Sequence, residues 1–208
     1  MSVEDRALWG RSRECLVQQI AELRCYRIRQ GEMRWFRPSV GDEEIVPERP
    51  DPRIIEMDVL NTQVAPRGFR VSEIKADGHC LYRAVAEQLA LTGRRPSLTE
   101  ESYDEIRRQA ASELRSSPDD YLPFLDGLEP GPEFELYCGK VEGSAEWGGQ
   151  IELQALCSSL EVPIEVFSAM SPPLRLGEQF EGPPLLLTYH EHYYALGAHY
   201  NSVVPLNS

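Results

Sequence analysis

One loop and the helix after it constrain this chain more than any other feature of its sequence. Residues 75–86 read KADGHCLYRAVA, in which Asp77-Gly78 is typical of a turn. From Cys80 onward apolar residues recur at helical spacing, at Leu81, Ala84, Val85 and Leu89. The sequence therefore predicts a helix that begins at Cys80 and ends near Thr92-Gly93.

A cysteine at the start of a helix is well placed for nucleophilic chemistry. The positive end of the helix dipole and the unpaired backbone N–H groups of the first turn both favour the thiolate over the thiol. The same N–H groups can hold a developing oxyanion. Cys80 is therefore a candidate nucleophile, and the alternative is that it is a small buried apolar residue.

A cysteine nucleophile needs a base, and the chain has four histidines. His79 directly precedes Cys80, so its side chain is poorly placed to reach the sulfur. His190 and His192 alternate with an acid beside three tyrosines, and we expect both at the surface. The remaining histidine, His199, is the candidate base.

His199 has a candidate partner two residues further on. In the stretch HYNSVV (199–204), a strand would place His199 and Asn201 on the same face. The Asn201 amide would then lie beside the imidazole and hold one tautomer. Cysteine, histidine and asparagine form a convergent constellation of cysteine proteases.

Three segments of the chain resemble the OTU (ovarian tumour) family of cysteine proteases, which cleave ubiquitin from proteins. The family pattern Asp-Gly-x-Cys-Leu-Tyr-Arg-Ala is unbroken over residues 77–84. EWGGQIEL (146–153) is similar to the family's Trp-Gly-Gly-x-x-Glu-Leu, and HYNSV (199–203) is similar to its terminal motif. The resemblance covers about residues 74–203 and is greatest to the subgroup that has an N-terminal helical extension.

The resemblance implies an α+β, OTU-like papain-type fold with a central β-sheet flanked by helices. It also implies that His199 is the catalytic base and that Asp77 is a catalytic residue. Asp77 can cap the cysteine helix or support the loop that binds the oxyanion, and we rank Asn201 before it as the residue that orients His199. We expect the glycines after Trp147 to let a helix approach the sheet, with Trp147 as an anchor.

The sequence divides into an arm with a linker, residues 1–52, and an OTU-like catalytic domain, residues 53–208. Residues 4–27 are predicted to be an amphipathic helix, residues 26–36 fit a short hairpin, and residues 37–52 are an acidic, proline-rich linker. The arm either binds a partner or packs on its own domain.

Within the catalytic domain, helices are predicted mostly before strands, which is typical of an α+β fold. The predicted helices lie near residues 54–60, at Cys80, after a capping box at Ser97 and Glu100, and after Gly148-Gly149. The predicted strands are residues 69–74, 162–167, 185–190 and 199–204.

Charge and cysteine usage bear on partners and compartment. The net charge is −13, and residues 1–36, with seven arginines against five acids, carry +2, so the rest carries −15. An acidic body argues against a nucleic-acid-binding surface and suits a basic protein partner, although the acids also serve solubility. Five scattered cysteines, no signal peptide and no membrane-spanning run predict a reducing compartment, the cytoplasm or the nucleus.

The leading hypothesis is a thiol-dependent deubiquitinase that hydrolyses the isopeptide bond at the C-terminus of ubiquitin or polyubiquitin through a Cys80 thioester. Its site would comprise Asp77, Cys80, His199 and Asn201, without cofactor or metal. One alternative is a non-catalytic ubiquitin-binding scaffold on the same fold. Another is a metal site at His190, His192 and His199, which lacks an acidic or cysteine ligand at confirming spacing.

Overall fold

The computed structural model of the protein describes residues 51–194 and 197–207. The predicted arm helix (4–27), the hairpin (26–36) and nearly all of the linker (37–52) lie outside these residues. The first described helix begins at Pro52, and the side chain of Asp51 caps it by accepting a hydrogen bond from the backbone N–H of Arg53.

Five strands form the mixed sheet that carries the candidate base. They are β1 (Phe69–Ser72), β2 (Ile164–Ser168), β3 (Leu174–Leu176), β4 (Leu185–Tyr194) and β5 (Gly197–Pro205). Their order across the sheet is β1-β5-β4-β2-β3, with β4 parallel to β2 and every other neighbouring pair antiparallel. β5 therefore lies between β1 and β4.

Six α-helices occur among the described residues. They are α1 (Pro52–Val64), α2 (Cys80–Leu91), α3 (Tyr103–Ser116), the single turn α4 (Pro118–Tyr121), α5 (Pro132–Gly143) and α6 (Gln150–Leu160). Most residues of α2 are buried, as expected for a helix that is apolar on several sides and lies inside the domain.

The sheet lies between two apolar layers. On one face the larger core contains side chains from α2, α3, α5 and α6, including Leu81, Ile106 and Leu156. On the other face α1 contributes Leu60 and Val64 to a smaller core, which also contains Val71, Phe167, Leu186 and Val203 of the strands. The predicted α+β fold, a central sheet flanked by helices, is confirmed.

The cysteine helix, the helix after Gly148-Gly149 and the two C-terminal strands are where the sequence predicts them. Some features differ from prediction. The capping box before α3 is formed by Thr99 and Ser102 rather than by Ser97 and Glu100. Helix α5 was not predicted, although Phe134, Cys138 and Val141 bury one face of it, because glycines and prolines surround that stretch.

Candidate active site

The turn before Cys80 has room for glycine alone at position 78. Gly78 has φ +83, and a Cβ on it would lie 2.1 Å from the backbone oxygen of Ala145. His79 is the N-cap of α2, and Cys80 is its first residue, as the sequence predicts. The close approach of residue 145 thus fixes the path by which the chain enters the cysteine helix.

Asp77, in the loop before α2, is held by Arg83 near the start of that helix. Its carboxylate accepts hydrogen bonds from Arg83 Nη2 at 2.7 Å and Arg83 Nε at 3.2 Å. It also accepts the backbone N–H of His79 at 3.1 Å. Arg83 is almost fully buried, so this pair fixes the loop from within the domain.

A second buried arginine holds the other side of the loop. Arg107 of α3 donates to the backbone oxygen of Gly78 at 2.9 Å and to His79 Nδ1 at 2.9 Å. It also donates to the backbone oxygens of Val141 and Glu146. The peptide between Gly78 and His79 is therefore bound at its oxygen by Arg107 and at its N–H by Asp77. The side chain of His79 is thus bound by Arg107, although its residue is adjacent to Cys80.

The Cys80 thiol is buried beside the strand that carries His199. The backbone N–H of Tyr200, the residue directly after His199, lies beside its sulfur, as do the N–H groups of Leu81 and Cys80. Burial raises the pKa of the Cys80 thiol above its ordinary 9.0 and outweighs these N–H groups, which lower it. We expected the helix start to favour the thiolate, but burial outweighs that effect. Cys80 is 5% exposed, and the neutral thiol prevails.

The tautomer of His199 follows from one backbone donor. The N–H of Ile74 donates to Asn201 Oδ1 at 2.8 Å, so this atom is the oxygen of the amide. His199 Nε2 lies 2.9 Å from the same oxygen and 3.0 Å from the backbone oxygen of Ile74. Both are acceptors, so Nε2 carries the proton, and Nδ1 is the nitrogen able to take another.

His199 is neutral at neutral pH. Burial lowers the pKa of its imidazole below the ordinary 6.5, while the hydrogen bonds to Asn201 and Ile74 act in the opposite direction. Asp77, bonded to Arg83, raises the pKa of His199 through its nearby charge. The structure thus brings Asn201 into contact with His199 and assigns Asp77 to the loop.

His190 corrects one sequence-based expectation. We expected it at the surface with His192, and His192 is exposed, but His190 is 0% exposed. Its Nε2 lies 3.1 Å from Asn201 Nδ2 and 2.9 Å from Thr188 Oγ1. The signal that could have found it is the pairing of the last two strands, which places His190 directly opposite His199.

The EWGGQIEL segment is structural, but its contacts differ from those expected. A Cβ on Gly148 would lie 2.7 Å from Leu81 and 2.9 Å from the Tyr82 hydroxyl, so the close approach is to α2 rather than to the sheet. Trp147 is 48% exposed and lies against Gly197 at the start of β5. Glu152 caps α6 by accepting the N–H of Gly149.

The three histidines considered as metal ligands do not converge on one point. Within residues 51–194 and 197–207, no group of three or more His, Cys, Asp or Glu side chains could hold a metal ion.

The helices of residues 51–194 and 197–207 include none with the length and apolar character that a membrane span requires.

Curated proteins similar to this chain include two of the same name. The protein named deubiquitinase OTUD6B of Homo sapiens is 40% identical over 159 residues, which are 74% of this chain and 53% of that protein. The Gallus gallus protein of the same name is 34% identical over 201 residues, 94% of this chain and 65% of its own length. This chain therefore spans roughly half to two thirds of the length of these curated relatives.

Solved structures share the fold. The OTUD1 OTU domain superposes with a TM-score of 0.58 at 22% identity, over 74% of this chain and 97% of that one. An OTU domain in complex with ubiquitin gives a TM-score of 0.50 at 20% identity, over 67% of this chain and 72% of that one. The sequence profile described as OTU-like cysteine protease matches residues 75–200. The chain belongs to the family of OTU-like cysteine proteases.

Proposed function

We propose that this protein is a cysteine-type deubiquitinase that hydrolyses the isopeptide bond at the C-terminus of ubiquitin. The observation that carries the proposal is the geometry of His199. Its Nε2 proton is held by Asn201 and Ile74, its Nδ1 can accept a proton, and the backbone N–H of the next residue along β5, Tyr200, lies beside the Cys80 sulfur. A base with its orienting group, and a thiol beside the next residue of the same strand, thus occur together in a chain of the OTU-like family.

The reaction would start from a neutral thiol and a neutral imidazole. His199 Nδ1 takes the thiol proton as the sulfur bonds to the carbonyl carbon of ubiquitin's last residue. The tetrahedral intermediate collapses to a thioester when His199 returns that proton to the departing lysine amine. Water, deprotonated by His199, then attacks the thioester, and the thiol and the ubiquitin carboxylate are released.

The oxyanion would be held by backbone N–H groups at the start of α2. The N–H of His79 is occupied by Asp77, so we assign this role to the N–H of Cys80 and to the N–H groups of the loop that precede His79. Arg83 and Arg107 hold both sides of that loop, which lowers the cost of ordering it when charge develops. In this assignment Asp77 supports the loop, and Asn201 orients His199.

Ubiquitin as the partner rests on charge and on the names of relatives. Residues 37–208 carry a net −15, which suits a basic partner. Two of the curated relatives are named deubiquitinases, and one solved relative is in complex with ubiquitin. The described cysteines, Cys80, Cys138 and Cys157, are free thiols, which supports a reducing compartment such as the cytoplasm.

The alternative is a scaffold that binds ubiquitin without cleaving it. A binder needs neither a buried thiol nor a histidine held as one tautomer, and this chain has both. A ubiquitin with an electrophile at its C-terminus separates the two functions, because a scaffold would bind it without forming a covalent bond.

Intact mass spectrometry after incubation with that electrophile tests the proposal. We expect one covalent adduct on the full-length protein, no adduct on Cys80→Ala, and an unchanged adduct on Cys138→Ala, a matched control at another buried free cysteine. Unmodified wild-type protein, or an adduct that persists in Cys80→Ala, would overturn the proposal.

A further inference from the structure

His190 lies in a hydrogen-bonded group on one face of two paired strands. β4 and β5 pair so that Thr188 is opposite Asn201 and His190 is opposite His199. Alternate residues of a strand point to the same face, so these four side chains lie together. All four are buried, and the reaction described above uses only His199 and Asn201.

The amide of Asn201 determines which nitrogen of His190 accepts. Because Ile74 N–H donates to Asn201 Oδ1, the amide NH₂ faces His190 Nε2 at 3.1 Å. An NH₂ group only donates, so His190 Nε2 carries no proton. Thr188 Oγ1, at 2.9 Å from the same nitrogen, also donates to it. The proton of neutral His190 is therefore on Nδ1.

A buried carboxylate of α1 favours this tautomer. Glu56 is 4% exposed, and its Oε2 lies 3.8 Å from His190 Nδ1. The carboxylate is itself fixed, because it accepts the backbone N–H groups of Glu191 at 2.7 Å and His192 at 3.0 Å. Its negative charge favours a proton on the nitrogen that faces it. α1 thus reaches the base through Glu56, His190 and Asn201.

This arrangement opposes rotation of the Asn201 amide. If the amide turned over, its oxygen would face the lone pair of His190 Nε2. Its NH₂ would face two other donors, the backbone N–H of Ile74 and the Nε2–H of the His199 imidazole. Every one of these contacts would change from attractive to repulsive. The acceptor nitrogen of His190 therefore adds to the preference for the orientation in which Asn201 holds His199.

We propose that His190, with its acceptor nitrogen set by Glu56 and Thr188, is a positioning residue that holds Asn201 and, through Asn201, the reactive tautomer of His199. The inference rests on the proposed function for its effect on turnover, but the hydrogen bonding of His199 can be measured without turnover. It assigns α1 a part in the site in addition to its apolar packing.

The test uses two substitutions of His190 in the full-length protein. His190→Leu removes the acceptor, whereas His190→Gln returns a carbonyl oxygen close to the position of Nε2. With a fluorogenic ubiquitin substrate we expect His190→Leu to lower kcat about five- to tenfold, the effect of losing one buried hydrogen bond that holds a reacting group. KM should not change, and His190→Gln should recover most of kcat.

Two further measurements separate positioning from general damage. The His199 Nε2–H resonance in proton NMR should be sharp and slow to exchange in the wild type and His190→Gln, and broadened or lost in His190→Leu. His192→Leu is the matched control, because His192 lies on the same strand and near the same carboxylate but is exposed. We expect it to leave both kcat and the resonance unchanged.

Each other outcome has a definite meaning. Unchanged kcat and an unchanged resonance in His190→Leu would overturn the inference. Equal losses in the Leu and Gln variants, in proportion to a lower melting temperature, would show a purely structural role and overturn it as well. Absence of turnover in the wild type would contradict the proposed function instead, and the NMR resonance would still decide the role of His190.

Discussion

At the scale of single residues, one backbone N–H determines much of the site. Ile74 N–H identifies the oxygen of Asn201, and that oxygen identifies the protonated nitrogen of His199. The amide NH₂ of Asn201 identifies the acceptor nitrogen of His190. The motifs of the sequence predict Cys80, His199 and Asn201. They do not indicate His190, because two of its partners are distant in sequence: Asn201 is 11 residues away across a strand pair and Glu56 is 134 residues away on α1.

Asn201→Ala should lower kcat/KM by about 10- to 100-fold, because orienting the base is a partial contribution to catalysis. Asp77→Asn keeps the shape of Asp77 but weakens its ion pair with Arg83. We expect it to act through the loop and to cost less. Steady-state kinetics with a fluorogenic ubiquitin substrate compares the two. A silent Asn201→Ala beside a severely impaired but folded Asp77→Asn would reverse these assignments.

The pH dependence of kcat/KM should reflect His199. Burial lowers its pKa, so the neutral base persists below the ordinary 6.5 and is lost only as the pH falls through the lowered value. We expect an acid limb whose midpoint lies below pH 6.5 and a plateau above that limb. Initial rates across a constant-ionic-strength buffer series measure it, and a midpoint above pH 6.5 would disagree with a buried neutral imidazole.

At the scale of elements, the start of α2 depends on contacts with other parts of the chain. Its first turn is predicted from local signals, the Asp-Gly turn and the helical spacing after Cys80. The arginine of α3 that binds the turn, Arg107, was not predicted, because nothing in the local sequence shows that it packs on the loop. Helix α5 and the three-residue β3 were missed because glycine and proline surround both, which weakens the periodicity signal of those stretches.

Gly78→Ala should disrupt both the loop and the reactivity of Cys80. Alanine would have to adopt the left-handed backbone conformation of Gly78, and its Cβ would clash with the backbone oxygen of Ala145. We expect a loss of more than about 1 kcal/mol in the free energy of unfolding and a large drop in labelling by the ubiquitin electrophile.

Gly139→Ala is the matched control for that substitution. Gly139 is exposed in the middle of α5, and a Cβ there would meet nothing within 4 Å, so the change should stabilise the helix by about 0.5–1 kcal/mol. Denaturant unfolding measures both variants. Equal stability for the two would contradict the tight turn at Gly78.

At the scale of the whole molecule, the catalytic unit should not need the N-terminal arm. The arm, expected from the helical spacing of residues 4–27 and the proline-rich stretch at 37–52, lies outside the described residues and stays a prediction. The described unit includes the N-cap of α1, the candidate site and all five strands. We therefore keep the proposal of an arm with a linker followed by a catalytic domain.

Shortening the chain tests that division. Residues 51–208 should fold and label with the ubiquitin electrophile, while turnover or partner binding changes. Residues 66–208 should fail, because removal of α1 takes away Glu56 and the core side chains Leu60 and Val64. Circular dichroism and intact mass follow both proteins. An insoluble or molten product from residues 51–208 would show that the arm belongs to the core.

Turnover of a fluorogenic ubiquitin substrate by the wild type, Cys80→Ala and His199→Ala tests the central claim most directly. The account predicts hydrolysis by the wild type, none by Cys80→Ala, and nearly as large a loss in His199→Ala, because members of one catalytic unit are not additive. Both variants should keep the wild-type circular dichroism spectrum. Hydrolysis by Cys80→Ala at the wild-type rate would contradict the account.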